Sequence, residues 1–113
     1  MCSRVLPFLF CGALLGGCAS DPGPKPEDQR DAALTAVEAA DEAGAEDAEP
    51  AVFQAAREKL KSAEALIEEK RYSKARVMLE QAEVDARLAE ARARTQEVRN
   101  ELGDLKVSIE SLR

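Results

Sequence analysis

The sequence predicts an all-α fold, either an antiparallel helical hairpin or a three-helix bundle, with a long C-terminal helix of coiled-coil character. Alanine supplies 21 of the 113 residues, and most of the other residues are also good helix formers. Apolar residues recur every three or four positions from residue 33 onwards, which indicates amphipathic helices. Aromatic residues make up only 4% of the chain, so we expect a thin core of small side chains in one domain, residues 27–113.

Residues 1–17 are typical of a secretory signal peptide. Arg4 supplies a positive charge, and the apolar run over residues 5–15 is shorter than the roughly 20 residues that a membrane-spanning helix needs. The run Leu14-Leu15-Gly16-Gly17-Cys18 resembles the lipobox of bacterial lipoproteins. This resemblance implies cleavage before Cys18 and a diacylglycerol thioether on its sulfur, for which a nucleophilic thiolate is suited. An ordinary secretory signal with a chance cysteine is the alternative.

The residues after Cys18 bear on where the anchored chain resides. Position 19 is Ala rather than the Asp that retains enteric lipoproteins in the inner membrane, so we expect a lipid anchor in the outer membrane, facing the periplasm. Residues 18–26 form the predicted linker, in which Pro22, Pro24 and Pro26 favour extended backbone of about 3.1 Å per residue.

The first two helices are predicted at about residues 27–43 and 50–69. Gly44 suits the position after the first helix, and Pro50 suits the first turn of the second. Residues 45–49 are predicted to be an acidic loop, in which Asp47 caps the second helix. Each helix carries an apolar face, and Phe53 and Leu66 flank that of the second. The faces are Ala33, Val37 and Ala40 in the first helix, and Val52, Ala56, Leu60, Ala63 and Ile67 in the second.

A turn at Lys70-Arg71 is predicted to precede a long third helix, at about residues 73–112. The turn contains neither Gly nor Pro, so it requires a non-glycine residue in the left-handed region. The helix carries two apolar stripes. The first stripe is Ala75, Leu79, Ala82, Ala86, Ala89 and Ala93; the second is Val84, Leu88, Ala91, Thr95, Val98, Leu102, Leu105, Ile109 and Leu112. Glu83–Arg87 and Glu90–Arg94 pairs support the helix locally, whereas Gly103 is a point at which it could break, with Asp104 capping the last segment.

The last five members of the second stripe form what we name the C-terminal seam. They are Val98, Leu102, Leu105, Ile109 and Leu112. The second helix can cover only about twenty residues of the third, so the seam is expected to extend beyond the bundle. Its spacing alternates between four and three, as in a coiled coil. We therefore predict self-association or docking on a partner helix, the alternative being that the first helix or a bend covers the seam.

A scattered motif resembles an uncharacterised family of Ala-rich bacterial lipoproteins, over about residues 30–95. The motif is Ala56-x-x-Lys59-Leu60-x-x-Ala63, Tyr72-x-x-Ala75, Leu79, Ala82 and Asp85-Ala86-x-x-Ala89. The resemblance implies a short helical hairpin behind a lipobox. Some members of the family continue into a peptidoglycan-binding domain of the OmpA type.

The residue types argue against an enzyme. The chain contains no His, and no phosphate-binding loop or nucleophile elbow occurs, so we expect no catalytic residue, metal or cofactor. The net charge of −6, with both signs mixed, argues against nucleic acid. The leading hypothesis is a structural or adaptor lipoprotein of the cell envelope. The alternatives are a peptidoglycan-associated coiled-coil lipoprotein and a module that binds a small apolar ligand.

Overall fold

The computed structural model describes residues 23–113, so the predicted signal peptide, Cys18 and the start of the linker lie outside the described residues. In this described part four helices follow one another: α1 (Glu27–Glu42), α2 (Ala45–Ala48), α3 (Pro50–Glu68) and α4 (Tyr72–Ser111). Over this range there is no strand, and the predicted all-α class with a long C-terminal helix is confirmed. The ends of the three long helices lie within one residue of the predicted ends.

Helix α4 is the centre of the bundle. It packs against both α1 and α3, which contact each other far less. The N-terminal part of α1 meets the C-terminal part of α3 at Ala33 and Ala63, close to Leu79 of α4. The other end of α1 meets the start of α3 at Ala40 and Phe53. Helices α1 and α4 are therefore parallel to each other, and α3 is antiparallel to both.

The core is built almost entirely of alanine. Within residues 23–113, every buried residue other than Pro26, Phe53 and Leu79 is an alanine. Small side chains let helix axes approach closely, but each one buries little apolar area. Phe53, predicted to flank the face of its helix, instead lies in the core at 3% exposure. Its large ring fills the space where α1, α2, α3 and α4 come together.

Two left-handed residues reverse the chain. Gly44 has φ +78° after α1, as predicted, and Lys70 has φ +58° after α3. At the second turn the N–H of Arg71 bonds to the carbonyl of Leu66 at 2.8 Å, and the N–H of Lys70 bonds to Ile67 at 2.9 Å. This pair of bonds is the Schellman arrangement. The predicted turn with a non-glycine left-handed residue is confirmed.

Replacing Lys70 with glycine is expected to raise the free energy of unfolding by about 1 kcal/mol, because glycine adopts positive φ without steric cost. Chemical denaturation followed by circular dichroism measures this change. Lys61→Gly is the matched control: Lys61 is exposed in the middle of α3, so the same substitution should destabilise by about 1 kcal/mol. Destabilisation by Lys70→Gly would contradict the assigned turn.

The local prediction for residues 45–49 is wrong, and the break that the sequence left open at Gly103 is absent. The acidic loop at residues 45–49 contains a four-residue helix, α2, and Asp47 lies inside it instead of capping α3. The cap residue of α3 is Glu49, and its side chain makes no capping hydrogen bond. Helix α4 also continues through Gly103 and Asp104 without a break. The cost of one glycine, about 1 kcal/mol, is smaller than that of opening a long helix of good helix formers.

Candidate functional site

The two apolar stripes of α4 have different environments. All six residues of the first stripe are buried, with at most 3% exposure, and pack against α1 and α3. The second stripe lies about 150° away on a wheel of 3.6 residues per turn, and therefore on nearly the opposite side of the helix. All of its residues are exposed. The bundle thus uses one face of α4 for folding and leaves the other free.

The C-terminal seam is open to solvent along its whole length. Ala93 is the last buried residue of α4, and every residue from Arg94 to Arg113 is exposed. Four seam residues are 50–57% exposed, and Leu112 is 87% exposed. The alternative that α1 or a bend covers the seam is wrong, since α4 continues as one helix. The overhanging segment is about 30 Å long at 1.5 Å per residue.

The exposed stripe is longer than the sequence interpretation recognised. Val77 is 53% exposed and prolongs it alongside the bundle, one heptad before Val84, which is 64% exposed. Val77 was missed because Gln81 interrupts the apolar spacing. Val77 precedes Val84 by seven residues, and this heptad distance could have placed Val77 on the same stripe.

A shallow groove marks the middle of the C-terminal seam. It encloses about 410 Å³, open to solvent, and is lined by Leu102, Leu105 and Ile109 with Arg99 and Lys106 beside them. Gly103 lies at its edge, where a side chain would meet nothing within 4 Å. An apolar floor with a basic border can receive side chains that project from another helix.

A row of basic residues follows one border of the seam with a period of seven. The row consists of Arg92, Arg99, Lys106 and Arg113. Arg92 pairs with Glu49 at 3.3 Å, at the end of the bundle. The other three have no carboxylate within 4 Å among residues 23–113. The sequence interpretation missed this row, although its spacing of seven and its place beside the seam were both visible in the sequence.

The other border of the seam is mixed. Arg87 and Arg94 contact Glu83 at 2.5 Å and Glu90 at 2.9 Å, respectively, so the predicted pairs at i,i+4 are confirmed. Farther along, Glu101 and Ser108 continue this border.

Ion pairs connect helices within the bundle. The ammonium of Lys59 in α3 donates to the carboxylate of Asp85 in α4 at 2.5 Å, and both side chains are largely shielded from solvent. The guanidinium of Arg30 in α1 donates to Glu64 in α3 at 3.0 Å. These bonds connect α3 to α4 and α1 to α3, and partly exposed pairs of this kind contribute about 0–1 kcal/mol each.

The charged side chains on the rest of the described surface are ordinary surface groups. In the described range no group of three or more Cys, Asp or Glu side chains could hold a metal ion. A hydrogen bond from Lys25 lowers the pKa of Glu27, and the positive charge of Lys25 lowers it further. The ammonium of Lys25 lies 2.8 Å from the carboxylate of Glu27. Both side chains are more than half exposed, so this pair is an ordinary surface contact at the start of α1.

Comparisons with known proteins bear on the family. The family model for a domain of unknown function (DUF4398) matches residues 28–105. This confirms the expected likeness to an uncharacterised helical family. No curated protein and no solved structure matches the chain. None of the helices in residues 23–113 combines the length and the hydropathy needed to cross a membrane.

Proposed function

The chain belongs to the DUF4398 family, a domain of unknown function, and from that premise we propose that it is an outer-membrane lipoprotein that acts as a helical adaptor in the periplasm. The lipid on Cys18 holds the chain at the membrane, and the bundle presents α4 to another protein. The observation that carries the proposal is the C-terminal seam, with five large apolar side chains at least half exposed on one face. Contiguous apolar surface of this kind marks interaction sites.

The position of the linker supports this arrangement. The guanidinium of Arg76, near the start of α4, donates a hydrogen bond to the carbonyl of Pro24 at 3.2 Å. The linker therefore enters at the end of the bundle where α1 and α4 begin. The overhang of α4 starts about 30 Å from that end and finishes about 60 Å from it, at 1.5 Å per residue. An anchored chain would thus hold its seam away from the bilayer.

The stability of the overhang also supports a binding role. No residue of the overhang is buried, whereas in proteins most helical stability comes from the packing of an amphipathic face. Burying its apolar stripe against a second helix would stabilise both, at about 25 cal/mol for each Å² of apolar area removed from water. Docking would therefore stabilise the helix of the overhang and attach the partner in a single step.

Replacing Cys18 with alanine is expected to abolish lipidation and remove the chain from the outer-membrane fraction. Each buried CH₂ group contributes about 0.8 kcal/mol, so two or three acyl chains make a durable anchor that no other group replaces. Immunoblots of fractionated envelopes measure the effect. Cys11→Ala is the matched control, because that cysteine lies in the predicted leader and its loss should change nothing.

Mass spectrometry of the native protein tests the anchor directly. We expect an N-terminal Cys18 carrying the mass of a diacylglyceryl group. An unmodified thiol at this position, or a Cys18→Ala chain that still fractionates with the outer membrane, would refute the lipoprotein proposal.

A further inference from the structure

We propose that the C-terminal seam docks a helix of a different protein, whose own apolar heptad stripe is bordered by Asp or Glu side chains. The inference deepens the proposed adaptor function, on which it rests, by specifying the chemistry of the partner. It depends on the two borders of the seam. In heptad lettering, Leu102 and Ile109 occupy position a, and Val98, Leu105 and Leu112 occupy position d.

The borders of a coiled coil are positions e and g, whose charges select the partner. Position e holds Arg99, Lys106 and Arg113, and one heptad earlier it holds Arg92. Position g holds Arg94, Glu101 and Ser108. The overhang therefore presents four basic side chains and one acidic side chain at its borders. A partner helix with carboxylates at the facing positions would pair with nearly all of them.

A second copy of this chain fits the seam poorly in the parallel orientation. There, each g residue faces the e residue five positions later on the other helix. Arg94 would face Arg99, and one heptad earlier Arg87 would face Arg92, so two of the pairs are repulsive. Only Glu101 with Lys106 is attractive, and Ser108 adds no charge against Arg113.

The antiparallel orientation is no better for two copies. Position e then faces position e of the other helix, which brings the basic row of one copy against the basic row of the other. Position g faces position g, where Arg94 against Glu101 is the one pairing of opposite charges among the overhang residues. Like charges at such positions oppose association by about the amount that opposite charges favour it. The charge pattern thus favours a partner of opposite border charge over self-association.

A lipid surface also matches the overhang less well. Residues 94–113 carry four basic residues and four acidic residues, so the segment has no net attraction to anionic lipid. Its stripe follows the narrow a/d spacing of a coiled coil and not the broad apolar face of an interfacial helix. Both features favour a protein helix.

Two synthetic three-heptad peptides test the proposal against the purified full chain. Both have Val at a and Leu at d; one has Glu and the other Lys at every e and g position. We expect the Glu peptide to bind at least about tenfold more tightly at low ionic strength, as measured by fluorescence anisotropy. The ratio should shrink in 1 M salt, where the Debye length is about 3 Å.

Charge-reversed chains provide the matched comparison. The triple variant Arg99→Glu, Lys106→Glu, Arg113→Glu should reverse the preference towards the Lys peptide. Reversal on the other side of α4, by Glu97→Lys and Asp104→Lys, should leave the preference for the Glu peptide in place. The variant Leu102→Glu, Ile109→Glu should lose binding to both peptides while the helical circular dichroism of the bundle persists.

Three outcomes would overturn the inference. The first is equal affinity for the two peptides. The second is dimerisation of the chain, seen in sedimentation and abolished in the double variant Leu102→Glu, Ile109→Glu. The third is binding to phosphatidylglycerol vesicles that the same double variant abolishes. None of them bears on Cys18. An unmodified Cys18 together with a strong preference for the Glu peptide would refute the anchor alone, so the two proposals fail separately.

Discussion

Replacing Phe53 with alanine is expected to lower the free energy of unfolding by about 3–5 kcal/mol, the usual cost of deleting a buried aromatic ring. Phe53 is 3% exposed and contacts alanines of α1, α2 and α4, which have no longer side chains with which to fill the space. The guanidinium of Arg57 also lies over the ring, 5.8 Å from its centroid. Since small domains are stable by only about 5–15 kcal/mol, this loss removes a large part of the total.

Urea denaturation monitored by circular dichroism measures the effect. Val107→Ala is the control: Val107 is 70% exposed on the overhang, so its truncation should change stability by less than about 0.5 kcal/mol. If Phe53→Ala unfolded with the same midpoint as Val107→Ala, the ring could not be the centre of the core.

The overhang of α4 was predictable from the sequence, whereas the choice of which stripe faces the bundle was not. The stripe with five alanines faces the bundle, and the stripe with branched aliphatic residues faces solvent. This reverses the simple expectation that the largest apolar residues are the most buried. The helix lengths explain the overhang, because α3 has 19 residues and cannot cover a helix of 40. Length and spacing are both sequence properties, so the overhang could be predicted without coordinates.

The parts that could not be predicted depend on contacts between elements. Ala45 is fully buried, and its packing against the core favours the short helix α2 over the loop that residues 45–49 predict on their own. The burial of Phe53 was visible in the sequence, because Phe53 continues the spacing of Ala56, Leu60, Ala63 and Ile67 in steps of three and four, whereas its contact with α2 was not. For the basic row from Arg92 to Arg113, the heptad spacing gives its position beside the seam, and the structure adds that only Arg92 has a carboxylate partner within residues 23–113.

Alanine contact sets the spacing of the helices, and this makes the core sensitive to added volume. Within residues 23–113, eleven of the thirteen buried apolar core residues are alanines, among them Ala36 and Ala40 of α1, Ala56 of α3, and Ala86 and Ala89 of α4. Well-packed interiors have few voids larger than a water molecule. A longer side chain at such a position must push two helices apart along their whole contact.

Ala89→Leu is therefore expected to destabilise the protein by about 1–3 kcal/mol, although it makes the residue more hydrophobic. Ala91→Leu is the matched control, two residues away on the exposed second stripe. Leucine and alanine have similar helix propensities, so this control should change stability by less than about 0.5 kcal/mol. Thermal and urea unfolding of the two variants measure the difference. Equal stabilities, or stabilisation by Ala89→Leu, would mean that α1 and α3 do not approach α4 through alanine contacts, and the bundle that presents the seam would have to be packed differently.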